Sequence, residues 1–142
     1  PGSGNGAVML VLFIHDHEFL SLREYAAVTL TLELGFPKGL IDPGETAEVA
    51  ANRELKEEIG FGTKTLRLLQ NVSMAPAFFD AKMTIFVAED LYPELLPGDE
   101  PEPLEVIKWS IQNIDALLAK DDFIEARCIA ALLLAEKWKK SR

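Results

Sequence analysis

A single cysteine, Cys128, is all that the 142 residues contain. One thiol forms no internal disulfide, which removes the disulfide-stapled secreted class and suits a reducing cytoplasm. Long apolar runs are missing too. The longest, Ala7–Ile14 and Cys128–Ala135, are eight residues each, against the ~20 needed to cross a bilayer, so no membrane partner is expected. Bases are scarce: 14 Lys and Arg against 23 Asp and Glu leave a net charge of −9 and a pI near 4.7. That balance repels a phosphate backbone and argues against a nucleic-acid partner. An acidic chain that handles a phosphorylated substrate needs a cation in between, and a divalent metal is the natural candidate.

What is present suits one globular domain: 49% apolar residues and 26% charged residues can bury a core. The opening Pro1-Gly-Ser-Gly-Asn-Gly6 does not read as a secretory leader. It reads as a flexible entry loop or as the cut end of a longer protein, and the second is favoured because a buried-strand pattern follows with almost nothing in front of it. Ala7–Ile14 is that strand, Phe19–Tyr25 and Ala27–Leu34 predict two more, and Gly35-Phe36-Pro37-Lys38-Gly39 is a breaker cluster. Asp42 or Thr46 caps a helix over Ala47–Ile59 that Gly60 stops. Further strands are predicted at Thr65–Asn71, Met83–Ala88 and Val106–Trp109, an acidic proline-rich loop at Pro93–Glu105, and helices at Ile114–Ala119 and Phe123–Lys139. Strands on both sides of one acidic helix, with a closing helix pair, predict a layered α/β domain. His15 and His17 read as surface residues, Cys128 as buried and inert, and Trp109 and Trp138 as packing anchors.

The chemistry is concentrated in Gly39–Phe61, GLIDPGETAEVAANRELKEEIGF. On a helix Glu54, Glu57 and Glu58 project from roughly one face, while Ala51, Leu55 and Ile59 turn inward. Three crowded carboxylates repel unless a cation sits among them, and an all-oxygen set suits Mg²⁺ or Mn²⁺ rather than zinc. The glutamates alone read better as a solvated face offset by Arg53 and Lys56. The whole pattern reads otherwise. Gly39, five residues, Glu45, seven residues, Arg53-Glu54-Leu55, one residue, Glu57-Glu58, one residue, Gly60-Phe61 fixes seven residues by type besides the apolar Leu55 and Phe61, and those seven alone have a chance probability of roughly one in 10⁸ from average composition.

This pattern matches the Nudix box at every fixed position, and from about Ala7 to Lys139 the chain resembles the Nudix hydrolase family. The resemblance implies an α/β/α sandwich with a mixed central sheet, and a divalent metal, Mg²⁺ or Mn²⁺, held beneath a diphosphate that water attacks. It implies Glu54 and Glu58 as the main metal ligands, Glu57 as ligand or base, and the backbone carbonyl of Lys38 as a further ligand. It assigns Gly39 and Gly60 to the bracketing turns, and Glu45 with Arg53 to a salt bridge that fixes the loop against the helix.

Substrate is read outside the box. Pro76, in Ser73-Met74-Ala75-Pro76, lies 16 residues after Gly60, a position associated with the ADP-ribose pyrophosphatase branch. Leu22-Arg23-Glu24-Tyr25 and Leu32-Glu33-Leu34 resemble segments common in that branch, with two departures. Ala26 stands where an Arg is usual, and Gly35-Phe36-Pro37-Lys38 replaces a Pro-Ala step, so phosphate contacts are sought from Arg23. Phe78 or Phe79 is a candidate for stacking an adenine, and Glu100 or Glu102, in the acidic loop, for catalytic base or extra ligand. The whole string is similar to bacterial enzymes that cleave ADP-ribose, NADH and adenosine polyphosphates to release AMP. Such enzymes carry an N-terminal β domain, often exchanged within a homodimer, that the 142 residues do not include, so residues 1–142 are read as one catalytic domain. Two other readings stay open: a non-catalytic ADP-ribose or NAD sensor, and a nucleoside triphosphate pyrophosphatase. The intact glutamates argue against the first, and Pro76 with the upstream segments against the second.

Overall fold

The computed structural model describes residues 6–26, 31–75, 81–94 and 105–142. Its centre is β1 (Ala7–Phe13), in which every residue from Val8 to Phe13 is buried. Strand geometry sends alternate side chains to opposite faces, so Val8, Leu10 and Leu12 enter one core and Met9, Val11 and Phe13 another. An unbroken apolar run is what a strand covered on both faces requires. The partner β6 (Ala81–Pro93) lies parallel to β1 and divides likewise, Phe86 and Ala88 to the first core and Met83, Ile85 and Val87 to the second.

Around this pair stand β2 (Glu18–Ala26), β3 (Thr31–Gly35), β4 (Lys38–Leu40), β5 (Phe61–Met74) and β7 (Glu105–Ser110). The path runs β3-β2-β1-β6-β5, with β4 on β1 and β7 on β2, and every pairing except β1–β6 is antiparallel. The sheet is therefore mixed, as expected. Helix α1 (Ala47–Ile59) covers the first core through Ala50, Ala51 and Leu55. On the other face lie α2 (Asp115–Leu118) and α3 (Ala126–Lys140), the latter burying Cys128, Ala131, Leu132 and Ala135. A run of ring contacts, Trp138–Phe13–Phe19–Phe36–Phe123, with centroids 5.9–6.1 Å apart, fills that second core.

Helix α1 has the predicted limits because both ends carry local stop chemistry. Thr46 accepts from the Val49 N–H at 3.1 Å, and Gly60 takes φ 74°, a left-handed turn that costs an L side chain. Elsewhere long-range pairing overrules local signals. The breaker cluster becomes part of the sheet: Phe36 is fully buried, Leu10 N–H donates to the Pro37 carbonyl at 3.0 Å, and Gly39 pairs with Val8. β5 and β6 outrun their predicted lengths because each satisfies the other's backbone from Phe61↔Pro93 to Met74↔Ala81. Pro93 thus closes a strand instead of opening a loop. The helix expected at Ile114–Ala119 shrinks to Asp115–Leu118, behind a 3₁₀ turn at Ile111–Asn113. α3 starts late because the Glu125 side chain caps the Cys128 N–H at 3.2 Å. Of the strand expected over Ala27–Leu34, residues 27–30 lie outside the described set, and β3 holds the rest.

Candidate active site

Arg53 is the hub of the box. Its Nε donates to Glu45 Oε2 at 2.7 Å and Nη2 to Glu45 Oε1 at 2.9 Å, a two-pronged ion pair that clamps the 40–46 loop onto α1. Nη2 also donates to the Leu40 carbonyl at 3.0 Å, and Asp42 stands 3.4 Å away. Nη1 donates to both Glu54 Oε1 and Glu57 Oε1 at 3.0 Å. The guanidinium is mostly covered and its pKa is raised, chiefly by the bond to Glu45. The Glu45 carboxyl is correspondingly lowered by Arg53 and by the Asp42 N–H. One cation therefore sets both the loop and two carboxylates of the helix.

Gly39 explains how Glu54 fits beneath the sheet. A Cβ there would lie 2.0 Å from the Glu54 carboxyl carbon, so only a bare backbone lets that carboxylate lie against β4. Burial raises the Glu54 pKa, with Arg53 acting against the rise. Glu58 is the extreme case. Its carboxyl is pushed up to about 8, first by burial, then by Glu24 and by Glu54, while Lys38 works the other way. Its Oε2 is buried without a hydrogen-bond partner, an arrangement that costs about 1–3 kcal/mol when left uncompensated.

Among the described residues no three His, Cys, Asp or Glu side chains stand together at metal-ligand spacing, and Arg53 already engages Glu54 and Glu57. The donor chemistry still fits a hard divalent cation. The donors are all oxygen, the carboxylates repel one another, and Glu58 keeps a buried acceptor unused. Glu54 and Glu58 from α1, with Lys38 beside them on β4, are the residues that would hold it.

The other candidates fall in different places. Arg23 is drawn to Glu105 at 2.8 Å and Asp122 at 3.1 Å, so its guanidinium is spent on tying β2 to β7 and to the approach to α3. Pro76, Phe78, Phe79, Glu100 and Glu102 lie outside the described residues. His15 and His17 are exposed, while Cys128 is fully buried, its thiol pushed up to about 11 by burial. Trp138 packs on Phe13, and Trp109 donates to the buried Ser21 hydroxyl at 2.7 Å.

Sequence reasoning passed over Glu24 as a site residue. The signal was there: along β2, Leu20, Leu22 and Glu24 share one face, and an acid that follows two leucines on an inward-facing alternation needs a reason. Glu24 lines a cavity of about 240 Å³ with Glu33, Gly35, Lys38, Arg127 and Cys128.

A box helix clamped by its arginine under a mixed sheet, with α3 behind, defines the class of protein, and a NUDIX domain model matches residues 5–132. The chain belongs to the Nudix family. It is 54% identical over 136 residues to ADP compounds hydrolase NudE of Escherichia coli (strain K12), covering 96% of this chain and 73% of that one. An ADP-ribose pyrophosphatase of Bacillus subtilis (strain 168) is 26% identical over 129 residues, covering 89% of this chain and 70% of the relative. A crystal structure of an ADP compounds hydrolase superposes with a TM-score of 0.89 at 54% identity, covering 96% of this chain and 73% of that one. Nudix hydrolases generally use divalent metal ions. None of the described helices is long and apolar enough to cross a membrane.

Proposed function

We propose that this protein is a pyrophosphatase that hydrolyses the diphosphate bond of ADP-linked compounds, among them ADP-ribose, NADH and adenosine polyphosphates, and releases AMP. The observation that carries the reading is the complete box: Glu54, Glu57 and Glu58 all present, two of them held by Arg53, and Glu58 buried with an acceptor to spare. The similarity to ADP compounds hydrolases supports the choice of substrate.

In this reading water adds to one phosphorus, the bridging P–O bond breaks, and AMP leaves with the other phosphate product. A divalent cation, Mg²⁺ with Mn²⁺ as substitute, would neutralise the diphosphate and acidify a bound water. Glu54, Glu58 and the Lys38 carbonyl would hold that cation. The water's proton passes to a carboxylate, with Glu57, Glu100 and Glu102 as the candidates. Replacing the base by Gln lowers kcat with little change in KM, because the group acts on the water and not on the adenosine. A homodimer in the cytoplasm completes the proposal, with no nucleic acid or membrane among its partners.

Product analysis over a nucleotide panel with Mg²⁺ tests it. AMP from ADP-ribose and NADH is the expected result. Pyrophosphate from a nucleoside triphosphate would replace the substrate assignment, and tight binding of ADP-ribose without any product would replace the enzyme by a sensor.

A further inference from the structure

Among the described residues two buried side-chain oxygens have no hydrogen-bond partner, Glu24 Oε1 and Glu58 Oε2. Folded proteins pair nearly all such atoms, and an exception calls for a water, an ion or a functional reason. These two exceptions are not scattered. Glu58 sits near the end of α1 and Glu24 on β2, and the Glu58 carboxyl is raised first by burial and then by the charge of Glu24. Lys38 shares the cavity wall with Glu24, and both its charge and its backbone N–H act on the Glu58 carboxylate. Two half-buried acids thus face one neighbourhood, each with an unused acceptor.

A proton shared between them would pair both oxygens, one as donor and one as acceptor, but leave one negative charge in a poorly solvated place. A divalent cation satisfies both oxygens and removes the repulsion in the same step. Glu24 would add an oxygen donor from β2 to those of α1 and β4 in the six-fold shell of a small hard cation. We infer that Glu24, outside the box and on a different element, is a ligand of the same divalent-cation site as Glu58. The inference rests on the reading of the box as a divalent-metal site. It gives β2 a direct part in that site, so the position of β2 in the sheet sets the cation's place as much as the helix does.

Mn²⁺ binding to the full chain, followed by the paramagnetic signal of free Mn²⁺ and by calorimetry, tests this without an activity assay. Thermal unfolding with and without Mn²⁺ gives a second readout. Glu24→Gln is expected to weaken Mn²⁺ binding at least about tenfold, the lower end of what even outer-shell changes cost. The Mn²⁺-induced rise in melting temperature should shrink with it, and the metal-free melting temperature should hold or increase. Glu58→Gln is the check on the parent reading: Mn²⁺ affinity unchanged in that variant overturns the metal site itself. A weakened Glu58→Gln beside a Glu24→Gln that keeps wild-type affinity overturns the inference alone. That pattern with a raised metal-free melting temperature would assign the pair to a shared proton. Should Glu24→Gln fail to fold, Glu24→Asp keeps the charge one methylene short. It is expected to bind Mn²⁺ measurably more weakly than wild type, and wild-type affinity there would equally overturn the assignment.

Discussion

The two faces of β1 carry different kinds of interior. On the α3 face seventeen described residues form one buried cluster, knit by a run of aromatic contacts and closed by a helix that adds small and branched apolar groups. On the α1 face nine suffice, and the helix contributes only Ala50, Ala51 and Leu55 to them. Its charged side chains Arg53, Glu54, Glu57 and Glu58 form the box site instead. The contrast teaches a division of labour: the α3 face supplies the stability that lets the α1 face keep crowded, half-buried charge.

The largest break in that comparison comes from the apolar side. Phe36 is fully buried between Phe19 and Phe123, so Phe36→Ala should cost about 3–5 kcal/mol in urea unfolding. The Mn²⁺ affinity of the protein that remains folded should stay near wild type. A large loss of affinity instead would show that the two faces are not separable.

Glu58→Gln should do the opposite. Activity at saturating Mg²⁺ is expected to fall by about a hundredfold or more, since the change removes an anionic donor felt most in the transition state. Folding without metal should be unharmed or slightly improved, because Gln is a comparable helix former and one of the repelling charges is gone. Unchanged turnover and unchanged Mg²⁺ dependence would defeat the metal assignment.

Acidity sharpens the contrast further. Burial, with Glu24 and Glu54, pushes the Glu58 carboxyl up to about 8, whereas an unfolded glutamate titrates near ~4.3. Between these values the folded chain holds a proton that the unfolded chain has released. Metal-free stability therefore falls as pH rises across this window and levels off above it. Melting temperatures from pH 5 to 9 should show the slope, and Glu58→Gln should flatten it. Saturating Mn²⁺, which binds the ionised form, should reverse it. Phe36→Ala should lower the whole curve without changing its shape.

The smallest effect belongs to the helix cap. Thr46→Ala removes the acceptor for the Val49 N–H and should cost about 1 kcal/mol by chemical denaturation. A cost near zero would show that the clamp of Arg53 on Glu45, not the cap, holds the start of α1.

The comparison also separates what could be read from the chain and what could not. Thr46, the Ala- and Glu-rich run and Gly60 bound α1 to the residue, because caps and stops act on groups within a turn of themselves. The same reading missed the sheet role of Phe36-Pro37-Lys38-Gly39, where burial of Phe36 and pairing with β1 overrule two breakers. Nor could it show that the Arg23 guanidinium, its candidate for phosphate contact, is paired with Glu105 and Asp122.

By itself, then, the sequence determined the family, the limits of the box helix, the two-faced central strand and the acidic balance that calls for a cation. Each is written in spacing or composition along a short stretch of chain, where 3.6-residue and two-residue periods follow from covalent geometry. Only the tertiary structure decided that Arg53 reaches Glu54 and Glu57 as well as Glu45, that Gly39 makes room for the Glu54 carboxylate, and that the charge of Glu24 acts on Glu58. Those relations join residues from different elements, and they exist because sheet register and the docking of α1 bring distant charges into one poorly solvated space. Charge there is governed by its neighbours and its burial, neither of which a single stretch of chain contains.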